Sequence, residues 1–576
     1  MAYDCCSLSR ARRKPIHERP NGEVLFIDGN GIPLGGTIDS DICIVGAGAA
    51  GIALALDFAA SGLQVCLLES GGLDANWETQ ALAEGDSIGA PYSQLDSTQL
   101  RFFGGNTNAW GGWFRGLDDI DFRRRAWVEA SGWPFDARGL ASYVERVHAL
   151  CEVPCADYAT QSLSSITDPR ARLIPFDPTR VESVLYRFSP PTRFGRVYRR
   201  AIERSGAIKC VINAHALKVK TTSDAGRVTA VEVGCLAGGR FNVTGRAFVL
   251  AAGAIENARL LLLSNDTISV GLGNAYDLVG RYFMDHPHVL RPLLAGPSHF
   301  PFGLYGLTFR KHGLTAGLSI PAALQQKEKM LNYKASIHPV FYAHDSPSWE
   351  GFRDLMLRFS RKWGLDPYDR LRMPFVRKVL HPKQVLAFLS RPDKVALGAI
   401  GHVLKSERLV TRLVLESKLE QAPNWASRVM LQEKRDAFGL PRARVDWRLL
   451  SIDRYTMARA EEIIDTELRR LGIGQLLPPR AAEHDQATAE VIGGWHQIGT
   501  TRMHSEPRHG VVDANCCVHG VGNLFIAGAS VFPTGGSVSP MPTLLALAFR
   551  LAEHVKHTLQ RPLDVRSPSS PSKVTS

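Results

Sequence analysis

No stretch of this chain stays apolar for the roughly 18–20 residues that a helix needs to cross a bilayer. The N-terminus, Met1 to Pro15, is basic but has no apolar run behind it, so no secretory leader is expected. Cysteine is thinly spread: ten in 576 residues, at Cys5, Cys6, Cys43, Cys66, Cys151, Cys155, Cys210, Cys235, Cys516 and Cys517. That spacing is no disulfide framework and fits a reducing, cytoplasmic setting. Cys151 and Cys155 lack a second pair, so no metal site is expected. There is no internal repeat, no zinc-finger spacing and no arginine-rich low-complexity block. A net charge of +12 therefore does not argue for a nucleic-acid partner.

What is present begins at Asp41. Ile42 to Val45 is a short apolar run that reads as a buried strand, and Gly46, Gly48 and Gly51 complete G-x-G-x-x-G. The alanine-rich segment Ala49 to Ser61 reads as a helix, and Gln64 to Glu69 as a second strand with an acidic end. This strand–turn–helix–strand unit is the pattern of a dinucleotide-binding fold. The glycines allow the turn, the approach of a pyrophosphate and close helix packing. The helix start at Ala49 and Ala50 offers unpaired N–H groups to phosphates. Glu69 can accept hydrogen bonds from ribose hydroxyls.

Further along, Arg101 to Arg115 carries four glycines around Asn106-Thr107-Asn108, and reads as a loop lying against something flat. Its aromatics, Phe102, Phe103, Trp110, Trp113 and Phe114, argue against free exposure. A helix is expected over Leu140–Leu150 and near 196–204. Strands are expected near 208–212, 217–221, 228–235 and 247–251. The last runs into Ala251-Ala252-Gly253-Ala254-Ile255-Glu256-Asn257, a second strand–glycine–helix approach. Residues 290–480 read as a cap built largely of basic helices. Inside it, residues 351–412 hold fourteen Lys and Arg against five acids, +9 of the net charge, with apolar residues interleaved. Such a face can dock on an anionic membrane, although charge runs more often solvate a surface. The tail from Arg561 reads as disordered.

Residues 495–554 form a second informative block. It holds Trp495-His496-Gln-Ile-Gly-Thr500, a strand over Asn523–Ala527 followed by small residues through Ala529, Gly536-Ser-Val-Ser-Pro540, and a closing helix over Thr543–His554. Together with the first glycine motif, the Gly104–Gly112 loop and Ala251–Asn257, this block resembles the glucose–methanol–choline (GMC) family of FAD-dependent oxidoreductases. It is most similar to the bacterial branch that includes sugar and sugar-acid dehydrogenases and pyranose oxidases.

The resemblance implies an α/β fold: a discontinuous Rossmann-like FAD-binding domain, 41–285 with 486–560, and an α+β substrate or cap domain, 286–485. Residues 1–40 would be a leader, 561–576 a tail, and 151–200 could add to the cap. The resemblance implies FAD rather than NAD, held by Gly46, Gly48, Ala49, Ala50, Gly51, Glu69, Gly105, Asn106, Asn108, Ala109, Trp110, Gly111, Gly112, Ala252, Gly253, Asn257, Ala529 and Pro540. It implies oxidation of a CH–OH group on a sugar-like or other secondary alcohol, with His496 taking the hydroxyl proton as hydride moves to flavin N5. Oxygen, a quinone or a protein carrier would then reoxidise the flavin.

Two positions depart from the family. Ser539 stands where relatives carry a second histidine or asparagine; its hydroxyl can hold the substrate oxygen but is no base at neutral pH. His504 is an alternative source of that polar group. Ala109 stands where some relatives bond the flavin through histidine, so FAD is expected to be non-covalent. Asp285-His286-Pro287-His288 resembles a family segment read as structural. A fatty-alcohol oxidase, a hydroxynitrile lyase and a non-catalytic flavin-binding relative remain open.

Overall fold

The computed structural model describes residues 26–154, 171–295, 313–341, 390–404, 410–477 and 491–560, with isolated positions at 158–160, 163, 168, 300, 302–305 and 348. The leader before Phe26, the tail after Gln560 and most of the basic segment 351–412 lie outside them.

Six parallel strands form the cofactor-side sheet, in the order Phe26–Asp28, Ile208–Ile212, Val65–Leu68, Ile42–Val45, Ala247–Leu250, Leu524–Ile526. The four consecutive strands from Val65–Leu68 to the edge strand Leu524–Ile526 are buried at every residue, which is why each reads as a short continuous apolar run. The chain leaves Ile42–Val45 to one side for Val65–Leu68, while Ala247–Leu250 pairs with its other edge. That reversal opens a crevice beyond the carboxyl ends of the strands. Val45, Leu68 and Leu250 end in register, so their following turns converge there. Helix Ala49–Ala60 packs against the closing helix Met541–Gln560, burying Ile52, Leu54 and Phe58 with Leu545, Leu551 and Val555 in one core. That core also takes in Val429 of Arg428–Arg435 and Ala443, Val445 and Trp447 of Pro441–Trp447, the middle strand of a small sheet whose other edge is Asp86–Gly89.

The cap differs from the expected basic helices. Its described residues form an eight-stranded antiparallel sheet. The main path runs Gln475–Leu476, Pro287–Leu294, Val410–Leu419, Tyr333–Phe341, Leu314–Ser319, Glu182–Phe188, Trp113–Phe114, with Ile492–Gly493 on the outer edge of Pro287–Leu294. Leu413, Leu415 and Leu419 alternate with Val414, Glu416 and Lys418, the period-2 pattern of a strand with one apolar face. Helix Ser451–Arg470 covers that face with Met457, Ala460, Ile463, Ile464 and Leu468. The opposite face carries His288, Glu416 and Lys418, paired across neighbouring strands. Trp113–Phe114 and Glu182–Phe188 join this sheet although they precede residue 285 in the chain. Among the described residues no helix is long and apolar enough to cross a membrane.

Candidate active site

A cavity of about 590 Å³ lies at the carboxyl ends of the parallel strands and runs up to the cap sheet. Three helix starts line it: Ala49 and Ala50, Ala254, and Met541. Neither Gly48 nor Gly253 carries a side chain to cap its helix, so those N–H groups are open to an anion. A Cβ on Gly51 would sit 1.8 Å from the Gly46 carbonyl oxygen, so this glycine sets the packing of helix on strand. A Cβ on Gly48 would meet nothing within 4 Å, and Gly48 lines the cavity: the space it leaves is ligand space. These features fit the diphosphate of a dinucleotide.

Glu69 also lines the cavity. Its carboxylate accepts from Ala47 N and Gly71 N, both at 3.0 Å, and so braces the glycine turn. Burial pushes its pKa up, against those hydrogen bonds. Oε1 also accepts from Ser70 Oγ at 3.2 Å, so it is Oε2 that keeps a lone pair for a ribose hydroxyl.

Of the sequence-derived cofactor residues, Gly46, Gly48, Ala49, Ala50, Glu69, Gly105, Asn106, Ala109, Trp110, Gly111, Ala252, Gly253, Ala529 and Pro540 line the cavity. Gly51, Asn108, Gly112 and Asn257 stand behind the wall. The Asn106 amide bonds Thr98 O and Leu100 N, and the Asn108 amide donates to Phe103 O, so both side chains fold the loop on itself. Asn257 accepts from Ala252 N at 2.9 Å and donates to Ser530 Oγ at 3.1 Å, tying the second glycine turn to the C-terminal block.

At the cap end the cavity is lined by Trp113, Tyr186, His286, Lys418, Trp495, His496, Ser537 and Ser539. His496 comes from the loop before Thr500, and His286 from the start of strand Pro287–Leu294. Their Nδ1 atoms are 2.8 Å apart. His286 Nε2 lies 3.3 Å from the Gly535 carbonyl oxygen, which can only accept. His286 therefore carries its proton on Nε2, and its Nδ1 is an acceptor. It follows that His496 donates from Nδ1 and has an unprotonated Nε2.

Both rings are kept neutral. Burial pushes His286 down to about 3. Burial, with the Lys418 ammonium nearby, holds His496 well below its usual pKa.

The buried carboxylate of Asp285 fixes both histidines. Its Oδ1 accepts from His286 N at 2.7 Å and His496 N at 2.8 Å; its Oδ2 accepts from Trp495 N at 3.0 Å and Tyr92 Oη at 2.6 Å. Trp495, at a φ of +60°, is held in the left-handed region next to His496. The segment read as structural thus supplies the partner of the proposed base. The Asp-His-Pro-His sequence was the available signal, but the partner lies 210 positions away. Lys418, Tyr92 and Tyr186 gave no signal of a role, and Trp113 signalled only, as one of its loop's aromatics, that the loop is not freely exposed. His504 does not line the cavity: its Nδ1 accepts from Glu506 N, and its ring stands against His509. Ser539 does line it.

Comparison with known proteins bears on the fold and its family. The family profile described as "FAD dependent oxidoreductase" matches residues 41–387, and that described as "GMC oxidoreductase" matches 423–548. A 2-methyl-1,2-propanediol dehydrogenase of Mycolicibacterium austroafricanum is 24% identical over 63% of this chain and 57% of its own. The fructose dehydrogenase large subunit of Gluconobacter japonicus is 24% identical over 62% of this chain and 56% of its own. The chain thus matches little more than half the length of either relative. The crystal structure of a pyridoxine 4-oxidase from Mesorbium loti shares the fold, with a TM-score of 0.52 at 16% identity over 90% of this chain and 99% of that one.

Proposed function

The chain belongs to the GMC oxidoreductase family of FAD-dependent enzymes, and from that premise we propose that it oxidises the CH–OH group of a sugar-like or other secondary alcohol to a carbonyl. The observation that carries this reading is the histidine pair, with His496 Nδ1 engaged by His286 and the ring lining the cavity.

Bound FAD supplies the acceptor for the hydride that leaves the carbinol carbon. The glycine turn at Gly46–Gly51 and the start of helix Ala49–Ala60 would hold its diphosphate, and Glu69 its ribose. The Gly104–Gly112 loop, Ala252-Gly253, Ala529 and Pro540 would hold the remainder. Ala109 has no nucleophile, so the cofactor would be bound non-covalently.

The chain's own residues handle the proton. His496 Nε2 accepts it from the substrate hydroxyl, and the neutral state enforced by burial keeps that site open. His286 holds the tautomer. Asp285 holds the two backbones, and through them the approach of the rings. Ser539 and Ser537 present hydroxyls that can hold the substrate oxygen. Turnover closes when oxygen, a quinone or a protein carrier takes the electrons, and rapid mixing of reduced protein with each distinguishes an oxidase from a dehydrogenase.

The test is anaerobic mixing of the flavin-loaded protein with a panel of polyols and sugars. Bleaching of the flavin band, with a carbonyl product, is expected. A panel that leaves the band unchanged overturns the reading, and a product formed by C–C cleavage without flavin reduction would mark a lyase.

A further inference from the structure

The charge at the cap end of the cavity is one-sided. Among the described lining residues the two carboxylates, Glu69 and Glu256, stand with the glycine turns, and Glu256 is paired with Arg101 at 3.2 Å. Around His496 the lining holds one ionised side chain, Lys418. Lys418 sits on the sheet directly across from His288 and from Lys334, and its ammonium lies 4.4 Å from the centre of the Trp113 ring. That ring is itself braced edge-on by Tyr186 and Phe188. The ammonium is therefore positioned by an aromatic face, and it is near enough to His496 to help hold the imidazole neutral.

Its counter-ion does not saturate it. Glu416 is not on the cavity wall, and three donors share its carboxylate: His338 Nε2 at 2.7 Å, His288 Nδ1 at 3.1 Å and Lys418 Nζ at 3.3 Å. The lysine contact is the longest of the three. Since an ammonium has three N–H groups, Lys418 retains donors for a ligand. The next carboxylate inward, Asp118, is shared by Arg115 and Lys334, and Lys334 reaches Ser537 Oγ at 3.5 Å. Anions thus lie behind this wall and a cation on it.

The geometry points to Lys418 as a subsite for an oxyanion on the substrate: the alcohol oxidised at His496 also carries a carboxylate or a comparable anionic group, and an aminated analogue is rejected. This rests on the alcohol-oxidation reading above. It adds no new reaction step, because the hydroxyl proton still goes to His496 and the hydride to FAD, while the anionic group stays unchanged on the salt contact. Trp113 and Tyr186 would flank the carbon skeleton.

The experiment uses the flavin-loaded full chain under anaerobic conditions. Two matched sets vary only the charged group: lactate, propane-1,2-diol and 1-aminopropan-2-ol; and D-gluconate, D-glucitol and 1-amino-1-deoxy-D-glucitol. The expected order of kcat/KM for flavin reduction in at least one set is acid above neutral above amine, with about tenfold or more between acid and neutral, the scale of one charge-assisted hydrogen bond. Lys418→Gln collapses the acid-to-neutral ratio and Lys418→Arg keeps it. The ratio is read within each variant, so a general loss of rate does not mask it.

A second readout needs no turnover: titration with acetate, followed by the shift of the flavin band, gives a Kd that rises about tenfold or more in Lys418→Gln. A flat or reversed order, or a ratio unchanged in Lys418→Gln, overturns the proposal while leaving alcohol oxidation standing. If no alcohol of either set reduces the flavin, the oxidation reading fails and the acetate titration alone decides the anion site: equal acetate affinity in wild type and Lys418→Gln refutes it.

Discussion

Replacing His286 with phenylalanine puts a somewhat larger ring in its place and removes both the Nδ1 acceptor and the Nε2–H donor to Gly535 O, and the consequence for His496 can be worked from the geometry. In the native site His496 Nδ1–H has one partner, His286 Nδ1, at 2.8 Å. The His286 ring is 2% exposed, so water does not substitute for the lost nitrogen. A buried donor stripped of its partner costs about 1–3 kcal/mol. His496 can escape that cost by moving its proton to Nε2, the ring nitrogen not engaged by His286, but that tautomer cannot accept the substrate proton there. At about 1.36 kcal/mol per factor of ten, the competent tautomer falls by roughly 5- to 150-fold. The first-order rate of flavin reduction at saturating substrate, by anaerobic stopped flow, is therefore expected to drop about 10- to 100-fold, with flavin content retained. A rate within twofold of wild type would refute the tautomer argument. So would a loss accompanied by release of FAD, which would make His286 a structural residue.

Three further outcomes are expected. Because burial and neighbouring charge depress His496, and the base acts only when neutral, the acid limb of kcat/KM should fall below the usual imidazole value near 6.5, with the rate flat above it; a limb at or above 6.5 contradicts this. Gly48→Ala should leave folding intact, since nothing lies within 4 Å of the new methyl, yet weaken FAD binding about tenfold or more; Gly51→Ala, 1.8 Å from Gly46 O, should lose both fold stability and flavin, so thermal melts with flavin titration separate the two. Acid precipitation should release all the flavin into the supernatant, and yellow pellet protein would show a covalent link that Ala109 does not allow for.

Much of the cofactor half was legible in the sequence because its signals are local. Ile42–Val45, Ala49–Ala60 and Val65–Leu68 are each buried, short and punctuated by glycine, and Leu524–Ile526 ends in small residues for the same reason. The cap's α+β class came from the family resemblance, but its strands were not legible, because the sheet is assembled from strands far apart in the chain. Trp113–Phe114 is two residues long and is defined only by its pairing with Glu182–Phe188. Val410–Leu419 does carry a strand-like alternation, but the basic residues around it suggested a helical surface. At the site, His496 announced itself through its motif, whereas the hydrogen bond that sets its tautomer spans 210 residues and leaves no spacing to read. Asn106 and Asn108 show the converse: polar residues in a glycine-rich loop looked available to a ligand, but their amides satisfy the loop's own backbone.

The most direct test of the account is single-turnover reduction of His496→Ala by a polyol that bleaches the wild-type flavin. Loss of about 10²- to 10⁴-fold in rate is expected, the range of a general base, with the flavin spectrum and content of the resting protein unchanged. A His496→Ala protein that holds its flavin and is reduced at the wild-type rate would contradict the claim that this imidazole takes the hydroxyl proton.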